Sequence, residues 1–257
     1  MNSMSFRLLL LLLLLLPPPA RALSESELDS IGHRVWQNEC GGTREGLTSW
    51  NSGESFASLG IGHFIWYPRG QNGPFEESFP KLTAYLVAQG TELPGWLKPG
   101  APCPWATRQE FQAALHEPRL NELRDLLART VRLQSKFLVQ RLETSLPKLA
   151  AAAPAAEREN IRRQIERLKQ SGAGTFALID YVNFKGEGLL ETERYKGEGW
   201  GLLQVLQEMH GAGPGAAKEF GEAAAKVLTR RVQNAPAGRN EAQWLPGWKN
   251  RVRSYAG

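Results

Sequence analysis

The sequence predicts a mainly α (α+β) fold in which one small β-hairpin element, near residues 55–67, interrupts a succession of helices. Two observations lead there. From Thr107 onward apolar side chains recur at three- and four-residue spacing, and strand signals are nearly absent. Between Gly41 and Pro68 a stretch rich in Gly, Ser and Asn gives way to short apolar and aromatic runs, the pattern of tight turns and brief strands. With 257 residues, 42% hydrophobic and 22% charged, the chain has apolar surface enough for a substantial core.

The elements are taken in chain order. Arg7 precedes an unbroken leucine run over residues 8–16, three prolines and Ala20-Arg21-Ala22. That run is about half the length that spans a bilayer, and the small residues suit a signal peptidase, so residues 1–22 read as a signal peptide cleaved after Ala22. The expectation is a periplasmic or secreted protein with no stable membrane insertion, its residues 23–257 forming a single domain. Taking Arg7 and Arg21 from the 31 basic residues leaves 29 against 26 acidic ones, a net +3. So mild an excess, with the charges mostly alternating in sign, specifies no polyanion, and nucleic acid is not an expected partner of an exported chain.

Residues 23–39 carry Leu28, Ile31, Val35 and Trp36 at helical spacing behind a Ser24/Glu27 capping box, and Gly41-Gly42 ends that helix. A hairpin-like element is expected at 55–66 and a helix at 79–88, with loop around it set by prolines and glycines. Further helices are expected at 108–127, 131–146, 157–169, 176–184, 201–209 and 216–232. Residues 149–156, alanine-rich with Pro154, read as the connection of an extra helical hairpin around 131–170.

Four histidines and two cysteines form no cluster at zinc spacing, and neither a metal nor another cofactor is expected. In an oxidising compartment Cys40 and Cys103 are expected to pair, closing a long loop worth roughly 2–4 kcal/mol.

Glu39 ends the first helix over a glycine-rich turn, where burial can hold a carboxyl protonated as a general acid requires. Twelve residues later comes Asn51, and then Ser58-Leu59-Gly60-Ile61-Gly62-His63. This order resembles the phage-type (endolysin) lysozymes of the lysozyme-like superfamily. There a helix-ending glutamate is followed by a loop aspartate and by a threonine ahead of a Gly-Ile-Gly-His strand. Residues 176–184 are similar to that family's central buried helix, and Arg239, Asn240, Trp244, Trp248, Arg251 and Tyr255 resemble its last helix.

The resemblance implies a lysozyme-like fold and a glycan-cleaving enzyme, a muramidase or a lytic transglycosylase. Its substrate would be peptidoglycan, or a related amino-sugar polymer such as chitin. It gives Glu39 the role of proton donor and Ser58 the place of the threonine, while His63 is implied to support the cleft. Asn51 stands where the family has a carboxylate; it could position a water or a sugar but not act as base. Glu45 and Glu54 are substitutes in the same segment, and Glu54 is favoured because it enters the small sheet. If Glu39 works with a second carboxylate across the sugar, hydrolysis with inversion results; if it works alone, lytic transglycosylation fits. Gly201-Leu202-Leu203-Gln204 is similar to a motif of soluble lytic transglycosylases and goose-type lysozymes, though it falls far later in this chain. Glycine-flanked loops carrying Asn183, Glu187, Tyr195 and Trp200 add amides, carboxylates and aromatic faces that could contact a glycan, with Gln204 beside them. The alternative is a catalytically inactive lysozyme-like protein that binds a glycan or an envelope partner, which Asn51 favours.

Overall fold

The computed structural model describes residues 22–73 and 75–256; the signal-peptide assignment lies almost wholly outside them. Helix α1 (Glu25–Cys40) begins on Ser24, whose hydroxyl accepts from the Glu27 amide while the Glu27 side chain returns to the Ser24 amide. It ends where Gly41 adopts φ 62°, a left-handed conformation that costs glycine little, and the turning chain bonds back to Gln37 and Trp36. Leu28, Ile31 and Val35 form its buried stripe.

A short turn then leads into a three-stranded antiparallel sheet of β1 (Thr48–Ser49), β2 (Ala57–Leu59) and β3 (Phe64–Trp66), in that spatial order. Ser58 pairs with Ser49 on one side and Ile65 on the other. The β2–β3 turn is tight. Gly60 has φ 68°, and a Cβ there would fall 2.4 Å from Gln134 Oε1, so only glycine fits. His63 also has positive φ, 47°, in this turn.

The chain beyond the sheet is mostly helical, beginning with α2 (Phe79–Ala88), α3 (Arg108–Ala113), α4 (Pro118–Arg129), α5 (Val131–Ala152), α6 (Arg158–Lys169) and α7 (Gly172–Lys185). The single helix expected at 108–127 is two, because Pro118 cannot continue a helix but starts one well, at the first turn of α4. Conversely, α5 does not stop at Leu146. It runs through Pro147, since Leu149 and Ala150 prolong the buried stripe of Leu142 and Leu146. Helix α5 lies against α1 and α6 against α7, so the pair is built into the core.

Helix α7 is buried on nearly every side, as befits a mostly apolar central helix. After it comes a hairpin that the glycine-rich sequence concealed, β4 (Arg194–Tyr195) with β5 (Glu198–Gly199). Helices α8 (Leu202–Gln207), α9 (Ala216–Asn234) and α10 (Leu245–Arg253) complete the chain. Arg239 and Asn240 lie in short turns ahead of α10 and Tyr255 in a turn after it, so the expected last helix is shorter than its sequence pattern. Buried side chains from α1 to that closing turn form one apolar cluster. No helix among the described residues is long and apolar enough to cross a membrane.

Candidate functional site

Three distant segments meet at Glu39. The C-terminal end of α1 points its carboxyl at the β2–β3 turn, where His63 Nδ1 lies 3.4 Å from Oε2. From α10, Arg251 donates to Oε1 in a close ion pair. The Glu39 side chain is 13% exposed, half-buried as its sequence position suggests. Its charged partner is not evident from sequence: a guanidinium occupies one oxygen and an imidazole borders the other.

Beneath this pair lies Asp180 of α7, with no exposure. Arg251 reaches it through Nε at 2.8 Å and Nη2 at 2.8 Å, Asn38 Nδ2 donates at 3.0 Å, and Tyr255 OH donates at 2.5 Å. Four donors answer one buried carboxylate, the condition under which such a charge is tolerated in a core. Facing these two carboxylates, Arg251 is held more firmly protonated than usual despite burial. The Tyr255 phenol is raised well above its ordinary range by burial and by the Asp180 charge, and so stays a donor. Motif reasoning misses Asp180. Its only signal in the sequence is a lone acid in an otherwise apolar helix.

A cavity of about 580 Å³ runs between α5 and the C-terminal end of α7. That volume is typical of clefts for small ligands. Glu39, His63, Arg251 and Asp180 are not part of its lining; the links to them are indirect, through Leu138, which packs on Gly62 next to His63, and through Asn183, which precedes the Phe184 ring that carries Arg251 at 4.2 Å. Asn183 and Glu187 both line this space. The Asn183 Nδ2 is buried without a hydrogen-bond partner, a donor left free for a ligand or water. Burial, then the neighbouring charge of Glu193, pushes the Glu187 carboxyl above its ordinary range. Exposed Phe75 and Leu190 also line the space.

The residues between β1 and β2 stand apart. Asn51 is exposed, and its carbonyl accepts from the Glu54 amide in the turn. Glu54 is partly buried; its Oε2 has no partner, and its carbonyl accepts from the Trp50 indole at 2.8 Å. Ser58 is buried in the middle strand, its carbonyl accepting from Ser49 Oγ at 3.3 Å. No hydrogen bond or ion pair joins Asn51, Glu54 or Ser58 to Glu39 among the described residues. Glu45 pairs loosely with Arg44 at the surface, at 3.8 Å.

Tyr195, Trp200 and Gln204 belong to a third group, and their polar atoms and faces are already engaged. The Gln204 amide is buried, its Oε1 accepting from Gly201 N at 3.0 Å and its Nε2 donating to Gly188 O at 3.2 Å. It clamps the loop after α7 to the start of α8, so its work is structural. Trp200 is buried with Arg231 4.0 Å over its ring and Tyr195 4.5 Å away, and Tyr195 OH donates to Glu241. The buried Trp200 ring offers a sugar no free face, whereas Tyr195 is partly exposed.

The expected disulfide is absent: Cys40 and Cys103 are buried free thiols. Cys40 Sγ donates to Gly60 O at the turn end of the β2–β3 hairpin, whereas Cys103 N donates to Tyr67 O at its open end. About four strand residues separate these levels, on the order of 13 Å. A disulfide requires Cα atoms within about 7 Å. Burial pushes both thiols up to about 12, helped at Cys40 by Glu39, so neither is a nucleophile near neutrality.

Among the described residues no group of three or more His, Cys, Asp or Glu side chains is placed to hold a metal ion. In comparisons with known proteins, no family model, curated protein or solved structure matches the chain.

Proposed function

We propose that this chain is an exported member of the lysozyme-like superfamily that cleaves β-1,4 glycosidic bonds of peptidoglycan or a related amino-sugar polymer, with Glu39 as the proton-transferring carboxyl. The observation that carries the reading is the convergence of α1, the β2–β3 turn and α10 on one half-buried carboxyl. Arg251 fixes Oε1 and leaves Oε2, next to His63, as the oxygen that gives and takes the proton. The Asp180 network holds Arg251 and thereby orients Glu39, as a positioned acid requires. Asn183 and Glu187 supply an amide donor and a carboxyl for sugar hydroxyls along the cavity.

Glu39→Gln keeps the shape and removes the transferable proton. The expected outcome is a fall of about 10²–10⁴ in release of soluble muropeptides from purified sacculi. Full activity in this variant rejects the assignment. Mass analysis of wild-type products separates anhydro ends, expected if Glu39 acts alone, from reducing ends, expected if Glu54 activates water.

A second reading has an observation of its own. The Arg251 ion pair and the missing carboxylate at Asn51 suit a scaffold that binds glycan without cutting it. Sacculus binding with no soluble product between pH 4 and 8 would select it.

A further inference from the structure

The turn between β2 and β3 carries glycines at 60 and 62 and then sets a histidine in a conformation that glycine adopts more readily. His63 has φ 47°, and a side chain held in that left-handed region carries strain that glycine would not. The turn is also bolted down on several sides. Gly60 N donates to Leu47 O at 2.8 Å and Cys40 Sγ donates to Gly60 O. Ile61 N donates to Oε1 of the buried Gln134, whose own Nε2 donates to Leu127 O and Thr130 Oγ1. Leu138 and Phe64 close over Gly62. The imidazole is thus presented from a rigid mount, at a backbone strain that the turn itself does not require.

What the ring faces is Glu39. Its Nδ1 lies 3.4 Å from Oε2, the oxygen that Arg251 leaves open, and this is the only polar contact of the imidazole among the described residues. The distance suits an ion pair and is longer than a formed hydrogen bond, as contacts at a reacting carboxyl often are before substrate is bound. Nε2, on the far side of the ring, has no hydrogen-bond partner among the described residues and is not buried, the side chain being 30% exposed. One nitrogen addresses the carboxyl and the other is open to water. An imidazole gains and loses its proton near neutrality, whereas a lysine would not release one and an asparagine could not take one.

We propose that the proton Glu39 transfers is stored on His63, which acts through Glu39 and does not itself touch the substrate. The role rests on the glycosidic cleavage proposed above; it adds where the proton waits between turnovers. In the resting site an imidazolium faces the Glu39 carboxylate. The Nδ1–H bond breaks as Oε2–H forms, leaving a neutral ring. Oε2–H then breaks as the proton joins the glycosidic oxygen, which keeps the electron pair of its broken bond to the sugar. In the reaction that Glu39 performs alone, the attacking sugar hydroxyl gives its proton to Oε2 and thence to Nδ1, so the pair ends as it began.

Sacculus cleavage at constant pH by the full chain carrying His63→Gly tests this. Glycine accepts the φ of this position, so the variant should unfold in urea no more easily than wild type, and the missing ring leaves a space that a small molecule can enter. Its rate should fall by about 10²-fold and recover by about tenfold or more in added imidazole. Pyrazole has the same shape without a basic nitrogen near neutrality and should restore nothing. His63→Asn, which also tolerates positive φ but holds no proton, should be as slow as His63→Gly. Adding Glu39→Gln to His63→Gly should abolish the rescue, because the imidazole works only through Glu39. An undiminished rate in both single variants, no rescue at all, or equal rescue by imidazole and pyrazole overturns the inference and leaves Glu39-dependent cleavage standing. Rescue that survives Glu39→Gln overturns it too, since the ring would then act on the sugar directly. A wild type whose cleavage does not depend on Glu39 removes the parent reading and this role with it.

Discussion

Asp180 concentrates more of the molecule's polar energetics than any other single side chain near the site. It is wholly buried and charged, and its four donors come from α1, α10 and the closing turn. Replacing it with Asn removes the charge that answers Arg251 and sets an amide donor against donors. Breaking a buried pair in this way costs about 3–5 kcal/mol, because a charge is left uncompensated. Tyr255→Phe removes only one hydrogen bond to a charged acceptor, about 1.5–3 kcal/mol. Urea unfolding at pH 7 should rank Asp180→Asn below Tyr255→Phe and both below wild type. An Asp180→Asn midpoint equal to wild type would show that Arg251 is held by Glu39 alone. Sequence can flag Asp180, since a lone acid in an apolar helix demands partners. It cannot name them, because they lie 71, 75 and 142 residues away and only tertiary packing brings them together.

At the scale of elements, what is legible in the sequence is local. The Ser24/Glu27 capping box, the Gly41 stop and the two strands flanking Gly60 are set by neighbours within a turn, and they occur where the pattern puts them. Where two local signals compete, periodicity misleads. It bridges Pro118, which divides α3 from α4, and it gives no hint of the β4–β5 hairpin, whose two-residue strands are too short to show alternation. Gln204 illustrates a different limit. Its motif suggests a minor glycan contact, yet the glycines around it leave room for its amide to bond backbone.

The start of α9 offers a sharper test of element-level reasoning. Glu219, in its first turn, accepts from the amides of His210 at 2.9 Å and Gly211 at 2.7 Å and from Arg167 at 2.8 Å, tying the α8–α9 loop to α6. Burial alone would raise this carboxyl, but these donors outweigh it and hold it below its ordinary value of 4.5. Since the folded state binds the proton more weakly than the unfolded state, the stabilisation is complete above about pH 5 and is lost as pH falls through the folded value. Glu219→Gln should thus cost about 1–2 kcal/mol at pH 7 by urea unfolding. The gap from wild type should close towards pH 3. A gap independent of pH would mean that shape, not charge, holds the loop.

Over the whole molecule, the cysteines show how topology overrides a compositional expectation. Two thiols in a chain expected from its sequence to be exported invite pairing, but the β2–β3 hairpin holds them at opposite ends, each inside the apolar cluster. Pushed up to about 12, each presents on the order of one thiolate in 10⁵ molecules at pH 7, so oxidation in the folded state is slow as well as geometrically barred. The chain purified without reductant should show no reactive thiol towards a disulfide reagent when native and two when unfolded in guanidinium. Adding dithiothreitol should leave its unfolding midpoint unchanged, where loss of a bridge would remove roughly 2–4 kcal/mol. If instead the unfolded chain offers no thiol until reductant is added, Cys40 and Cys103 are joined. In that event the β2–β3 hairpin, and with it the position of His63 beside Glu39, is arranged differently from the geometry on which the proposed proton transfer depends.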